Sequence, residues 1–466
     1  MTRKTKFILA LAAMASLPFG DAKAQEVIFD SDTTSHVFYR IPAIVANGNT
    51  LIYFSDDRSG VTDATAWGDI GSEGNISILA RRSDNLGKSW QRDAKTVVRG
   101  FGDHGFDRGH GDAAVVCDRE SGRMLLMCAS GEISYGRSGV KVSEESGKMS
   151  LDLSQAQRVG RYYSDDNGKT WQGGEVTADI YNLFPPQKDG EGKASAPVYR
   201  LFFTSGRICQ SSMIKHGQYY RIYSAITTNR GSLVLYSDDF GKSWLPLGGA
   251  DAQPSPKGDE AKLEELPDGN VLLSCRMFGG RYFNIYRYTD TANASGRWGE
   301  VAASTSTDGG TATKNNATNG EILIVPATDS KGKCVYLALQ STPFGQDNPN
   351  ETNNVRRCNV SIYWKVLASP ADYARPECFE GGWTRYQVSD RRSSYSTMVL
   401  DRKGRIAFAY EDSGECLVVG SQPTEVYDNT FRTLTIDEIT GGKYRYSKKK
   451  DHRNRFLLAQ IRPALR

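Results

Sequence analysis

The chain has 466 residues with 58 basic and 54 acidic side chains, a formal net charge of +4. That length could hold two or three ordinary domains. The near balance of charge gives no global pull toward nucleic acid, and five histidines with no H-E-x-x-H pair give a metal centre no support.

The first segment reads as a targeting sequence. Arg3, Lys4 and Lys6 form a basic start, and residues 7–17 are apolar but too few to span a bilayer. Ala22-Lys23-Ala24 then fits a small-x-small cleavage site. Residues 1–24 are therefore expected to be removed, leaving Gln25 at the mature amino terminus. No Cys stands at the cleavage site, so no lipid anchor is expected, and no later stretch is long and apolar enough for a membrane helix. The expectation is a soluble protein that is secreted or periplasmic. Loss of four basic residues and Asp21 leaves the mature chain near neutral.

From there short apolar runs alternate with Gly, Asn and Asp turns. The 47 Gly, 23 Tyr and 18 Phe, with few helical periodicities, argue for an all-β chain. Six hairpins can be picked out, turning near Asn47-Gly48, Ser121-Gly122, His216-Gly217, Asp268-Gly269, Lys331-Gly332 and Lys403-Gly404. Units of roughly seventy residues account for the whole mature chain, and four-stranded blades around an axis suit that count. The prediction is one domain, residues 25–466, folded as a six-bladed β-propeller of four-stranded antiparallel sheets. Polar stretches at 137–157 and 187–195 read as loop insertions, either inert or shaping a binding mouth.

A second repeat overlies the first. Ser83-Asp84-Asn85-Leu86-Gly87-Lys88-Ser89-Trp90 returns as Ser164-Asp165-Asp166-Asn167-Gly168-Lys169-Thr170-Trp171 and as Ser237-Asp238-Asp239-Phe240-Gly241-Lys242-Ser243-Trp244. A looser echo runs from Thr289-Asp290 to Gly296-Arg297-Trp298. Asp and Asn suit a tight turn by bonding their own backbone, and Gly supplies positive φ. A calcium loop is excluded. With the Gly as loop position six, position one would be Arg82, Tyr163 or Tyr236, and none is a carboxylate. The eight cysteines show no C-x-x-C and no framework spacing, so most read as small buried hydrophobes. The basic carboxy-terminal stretch from Lys443 reads as a solvated edge and tail.

Each hairpin goes down, turns and comes back, so the residues just before and after it share a rim. Arg40 and Arg58 flank the first hairpin, and Asp112 precedes the second. Glu260 and Arg276 flank the fourth, and Tyr395 and Glu411 the sixth. All seven are predicted to converge on one face, opposite the Gly-rich turns. Clustered guanidinium groups are costly unless an anion or carboxylates offset them. Arg forks match a planar carboxylate bidentately, so the inferred ligand is a small carboxylate.

At these residues the chain resembles a known family. The octads are similar to Asp-boxes, and Phe38-Tyr39-Arg40-Ile41-Pro42 resembles the Phe/Tyr-Arg-Ile-Pro motif of exo-sialidases. The resemblance, over essentially the whole mature chain, is to the retaining, Asp-box (BNR repeat) sialidases and their secreted bacterial members. Arg58 with Asp63 resembles the family's arginine-loop segment and acid/base aspartate. Glu260 through Leu266-Pro267-Asp268-Gly269 to Arg276 resembles its Glu–hairpin–Arg element. Arg357-Cys358-Asn359-Val360 resembles the Arg-x-Asn-Val segment with the third triad arginine. Tyr395-Ser396-Thr397 resembles the nucleophile segment, and Tyr410-Glu411 the carboxylate that orients the first arginine. Arg356 adjoins Arg357; strand alternation lets only one point inward, and Arg357 is favoured. Asp69, beside Trp67 and Gly68, stands as a second candidate for the acid. Trp67 is a candidate for lining the acyl or aglycone side, or for packing.

The resemblance implies an exo-α-sialidase releasing terminal sialic acid from glycoproteins, glycolipids or oligosaccharides with retention. Arg40, Arg276 and Arg357 would clamp the carboxylate on the anomeric carbon, and Arg58 and Asp112 would contact ring substituents. A carboxylate nucleophile would face that negative charge, whereas Tyr395 avoids the repulsion, as sialidases do. Glu260 would take the Tyr395 proton, and nearby arginines would favour the phenolate. Asp63 would protonate the leaving oxygen and then activate water. No cofactor and no metal are implied. The expected partners are sialylated glycans, with no nucleic acid, no membrane insertion and a monomeric state. Two alternatives use the same face: a non-catalytic sialoglycan-binding propeller, and a trans- or anhydro-sialidase.

Overall fold

The computed structural model describes residues 25–59, 74–305, 309–346, 356–419 and 422–448, and of 414–419 and 422–425 the backbone alone. Six antiparallel sheets stand around a common axis as the six blades of a β-propeller. Blade 1 comprises Tyr39–Asn47, Thr50–Asp57, Ser77–Ser83 and Lys95–Val98. Blade 2 comprises His110–Cys117, Met124–Ser130, Arg158–Ser164 and Gln172–Glu175. Blade 4 begins with Ala261–Glu265 and Val271–Met277, blade 5 with Ile322–Asp329 and Cys334–Pro343. Blade 6 takes Arg392–Leu400, Ile406–Val419 and Gln422–Leu434 from the end of the chain, and Glu26–Phe29 from its start as the outer strand. That last pairing closes the ring, since Glu26 lies opposite Phe431.

Each of the six hairpins expected from the sequence is the inner pair of a blade, and each turn lies on the same rim. The alternating Val, Ile, Leu and Phe of these strands fill the contacts between neighbouring blades. Ala43, Val45 and Ile52 of blade 1, for example, pack with Ala113, Val115 and Leu126 of blade 2.

Blade 3 departs from the pattern. Its inner position is shared by Leu201–Phe203 and Cys209–His216, both paired to Tyr219–Thr228. Between them Gly206–Arg207 leaves the blade and pairs in parallel with Ala114 and Val115 of blade 2. Arg207 reaches Glu264 at 2.8 Å and Glu321 at 3.3 Å, joining blades 4 and 5 to this segment.

The octads join the third and fourth strands of blades 1, 2 and 3, on the rim of the inner turns. Their third residue does the bonding. Asn85 Oδ1 accepts from Lys88 and Ser89 N–H, Asp166 Oδ1 from Lys169 and Thr170, and Asp239 Oδ1 from Ser243. The octad glycine has positive φ and lies against the preceding blade: a Cβ on Gly168 would fall on Ile52, and one on Gly241 on Leu125. The Trp rings pack onto apolar strands, Trp171 edge-on to Phe54 of blade 1 at 5.7 Å and Trp90 to Phe431 of blade 6 at 5.0 Å. The octads therefore staple blade to blade.

The two polar stretches are hairpins on the opposite rim. Lys141–Glu145 pairs with Lys148–Asp152, and Gln187–Lys188 with Ala194–Ser195. Lys188 bonds Glu144 at 3.0 Å between them. Seven cysteines fall among the described side chains and all are free thiols. Cys128, Cys209, Cys275 and Cys358 are buried, and burial pushes the Cys128 thiol up to about 12. No helix among the described residues is long and apolar enough to cross a membrane.

Candidate active site

The rim opposite the octads holds a cavity of about 320 Å³. Arg40, Arg58, Asp112, Glu260, Arg276, Arg357 and Tyr395 line it together. They come from the ends of inner hairpins in blades 1, 2, 4 and 6, and from the segment before the third strand of blade 5. The strands that carry them are bulged there. Register shifts fall between Arg40 and Ala43, Gly111 and Ala114, and Ser393 and Ser396. A bulge turns one side chain out of the strand's alternation and can aim it at the axis. Ile41 and Asp112 take φ of 60° and 56° at these bulges, a left-handed conformation unfavourable for such residues.

Tyr395 sits at the centre. Its hydroxyl donates to Glu260 Oε2 at 2.6 Å and accepts from Arg276 Nη1 at 3.0 Å. Arg276 Nη1 also bonds Glu260 Oε2 at 2.6 Å. Burial pushes the Tyr395 phenol well above its usual range, and the Glu260 carboxylate adds to this while Arg276 and Arg357 oppose it. At rest, then, the arginines do not produce a phenolate: the phenol keeps its proton and offers it to Glu260. The arginines do favour the ionised form, as expected, but burial and Glu260 outweigh them.

Glu411, fully buried, lies behind the site. It takes Arg40 in a fork, Nε at 2.7 Å and Nη2 at 3.2 Å. The same carboxylate accepts the backbone N–H of Ile41 at 2.8 Å and of Tyr395 at 2.9 Å. One residue thus fixes the first arginine, offsets the strained backbone after it and holds the tyrosine segment. Burial disfavours its charge, but Arg40 and these hydrogen bonds outweigh that and hold its carboxyl below the usual range.

Of the adjacent pair, Arg357 is the one that lines the cavity. Its guanidinium donates to Ala317 O at 2.9 Å and lies 5.9 Å from the Tyr395 ring centre. Burial, then the neighbouring charge of Arg276, pushes its pKa down. Arg40 stands 5.6 Å from the same ring centre. On the other side Arg58 bonds Asp56 at 2.9 Å, and Asp112 lines the wall beside it. The arrangement concentrates positive charge around a protonated tyrosine and its carboxylate acceptor, which suits an anionic ligand that meets a nucleophile.

Asp63, and with it Trp67 and Asp69, falls outside the described residues. Five further residues complete the wall: Ile41, Tyr135, Gln157, Phe202 and Asp259. Tyr135 shortly precedes the first polar stretch and Gln157 ends it, so that stretch does border the mouth. No hairpin end marks them, because they lie on the connection between second and third strands. Asp259 bonds Arg276 Nε at 3.4 Å, and its place beside Glu260 was its only signal.

No family model matches the chain. A sialidase from Paraclostridium sordellii is 29% identical over 261 residues, covering 55% of this chain. The match covers 57% of that relative, so the chain spans little more than half of its length. Among solved structures, the NanB sialidase of Streptococcus pneumoniae superposes with a TM-score of 0.62 at 15% identity, covering 89% of this chain and 71% of NanB. The intramolecular trans-sialidase of Ruminococcus gnavus gives 0.61 at 17% identity, covering 89% of this chain and 98% of that one. The structural likenesses speak for the fold, and the curated relative to which the chain is similar is a sialidase.

Proposed function

We propose that the protein is an exo-α-sialidase that hydrolyses terminal sialic acid from glycoproteins, glycolipids or oligosaccharides with retention. The observation that carries this reading is the short contact of Tyr395 with Glu260 beneath a cluster of arginines. A binding module needs the arginines alone; it has no use for a phenol poised on a buried base.

In this reading Arg40, Arg276 and Arg357 receive the carboxylate on the anomeric carbon and hold the sugar in place. The Tyr395 oxygen attacks that carbon as its proton passes to Glu260, across the observed 2.6 Å hydrogen bond. Asp63 donates a proton to the departing glycosidic oxygen, and the aglycone leaves as an alcohol. The covalent sialosyl-tyrosine is then opened by water on the same face. Asp63 removes the water proton, Glu260 returns its proton to Tyr395, and the α-anomer is released. Transfer to a second sugar or closure onto the sialic acid's own hydroxyl would differ only in what replaces the water.

The test is digestion of 3′-sialyllactose in deuterated buffer, followed by proton NMR. Early appearance of free α-sialic acid supports hydrolysis with retention. An anhydro or transferred product points to the transferase alternative, and no product to a binding propeller. A fluorinated sialosyl donor should label the peptide that contains Tyr395. Tyr395→Phe should fold and bind sialic acid while losing most turnover, and a label elsewhere with near-native turnover in that variant would remove the nucleophile assignment.

A further inference from the structure

Asp56 is wholly buried, paired with Arg58, and lies behind the cavity wall. It sits on the return strand of the first hairpin, opposite Arg40, at a position the hairpin-end argument does not select. Its Oδ2 accepts Arg58 Nη2 at 2.9 Å. Its two oxygens also stand 3.1 and 3.2 Å from the backbone N of Asp112, which belongs to the next blade. The approach is close enough to require glycine beside it, since a Cβ on Gly111 would come within 2.7 Å of Asp56 Oδ2.

Both partners need such a contact. Arg58 is 4% exposed, and a desolvated guanidinium is costly without a carboxylate beside it. Asp112 takes φ of 56°, a conformation that persists only where surrounding structure over-determines it. One carboxylate therefore touches two charged residues of the cavity wall, Arg58 through its guanidinium and Asp112 through its backbone. We propose that Asp56 is a positioning residue for substrate recognition, acting through Arg58 and the backbone of Asp112 to place both against the ring of the bound sugar. This rests on the sialidase reading above.

The contacts made by Arg58 and Asp112 belong to the ring and not to the reacting carbon. Their displacement should weaken ground-state and transition-state binding alike, which raises KM and spares kcat. The experiment is steady-state kinetics of Asp56→Asn, Arg58→Met and the double variant on 3′-sialyllactose. Asp56→Asn should raise KM roughly tenfold with kcat within about twofold of native. On the Arg58→Met background the same change should add less than its full, roughly tenfold rise, because one of its two routes is already cut and only the one through Asp112 remains. A native KM in Asp56→Asn, a fall in kcat alone, or effects that multiply independently would each overturn the proposal. Should Asp56→Asn not fold, Asp56→Glu, which keeps the carboxylate and moves it by one methylene, must give the same KM rise. Failure of both to fold counts against the proposal, since Asp56 would then be a stability residue. If the native protein does not turn over sialyllactose, the sialidase reading itself fails; turnover with an unaltered KM in the variant removes this inference alone.

Discussion

Tyr395 keeps its proton because burial and the Glu260 carboxylate act together against a phenolate. The site is therefore built to move that proton only when the attacked carbon draws electrons from the oxygen. Arg276 bridges the two groups and holds the pair in register. The proposed acid can be tested by leaving-group dependence. A sugar hydroxyl needs a proton to depart, whereas an activated phenol does not. Asp63→Ala should lose about 10²–10⁴-fold on sialyllactose and far less on an aryl sialoside. Equal losses on both substrates would pass the role to Asp69.

The elements divide their labour by rim. Inner-strand ends carry the charged residues, and the octads on the far rim carry stability. Trp244 is 4% exposed and packs 5.5 Å from Phe203 in the core shared by blades 2 and 3. Trp244→Ala should cost about 3–5 kcal/mol, the usual loss for emptying a buried aromatic site. Half-buried Trp171 should cost less. Denaturant unfolding and KM measured on the same preparations check this: a raised KM with native stability would place the octads near the substrate. The repeat of Gly in each octad has two causes that the sequence could express only as one letter. Positive φ was legible from turn chemistry, but the close approach to Ile52 or Leu125 required the neighbouring blade.

At the scale of the whole molecule the ring is closed by a strand from the opposite end of the chain. Asp428 lies at that seam and accepts Ser31 N–H at 2.9 Å. Burial pushes its carboxyl up to about 6 from an ordinary 3.8, with Asp30 and Asp412 adding to the rise and Ser31 and Arg391 opposing it. Below pH 3.8 both folded and unfolded chains hold this proton. Between that value and about 6 the folded chain holds more protons, so the contribution of Asp428 to stability declines as pH rises through this window. Asp428→Asn keeps an acceptor for Ser31 and should raise the melting temperature at neutral pH while leaving it near native in acid. An equal shift at both pH values would show that ionisation at the seam is not the cause.

Much of this was legible from local patterns. Hairpin turns announce themselves through Gly and Asn, and two-residue alternation marks strands that bury both faces of a blade, so the six units could be counted. The ends of those hairpins located Arg40, Arg58, Asp112, Glu260, Arg276 and Tyr395, because a short turn fixes which residues share a rim. Arg357 escaped that rule, as it precedes a third strand, and was found through the motif it resembles. Tyr135, Gln157 and Phe202 had no local mark, since what makes them neighbours of the site is the curvature that brings blades 2 and 3 to the axis. Asp56 is the clearest case. Its sequence neighbourhood is that of a strand residue, and its importance arises from a backbone N–H and a guanidinium on separate segments meeting one buried carboxylate. Sequence by itself determined the blade count, the facing rim and most of the charged groups, because these follow from periodicity and turn chemistry within a few residues. Only the tertiary structure decided which groups touch and which protons they hold, because burial and charge act between blades.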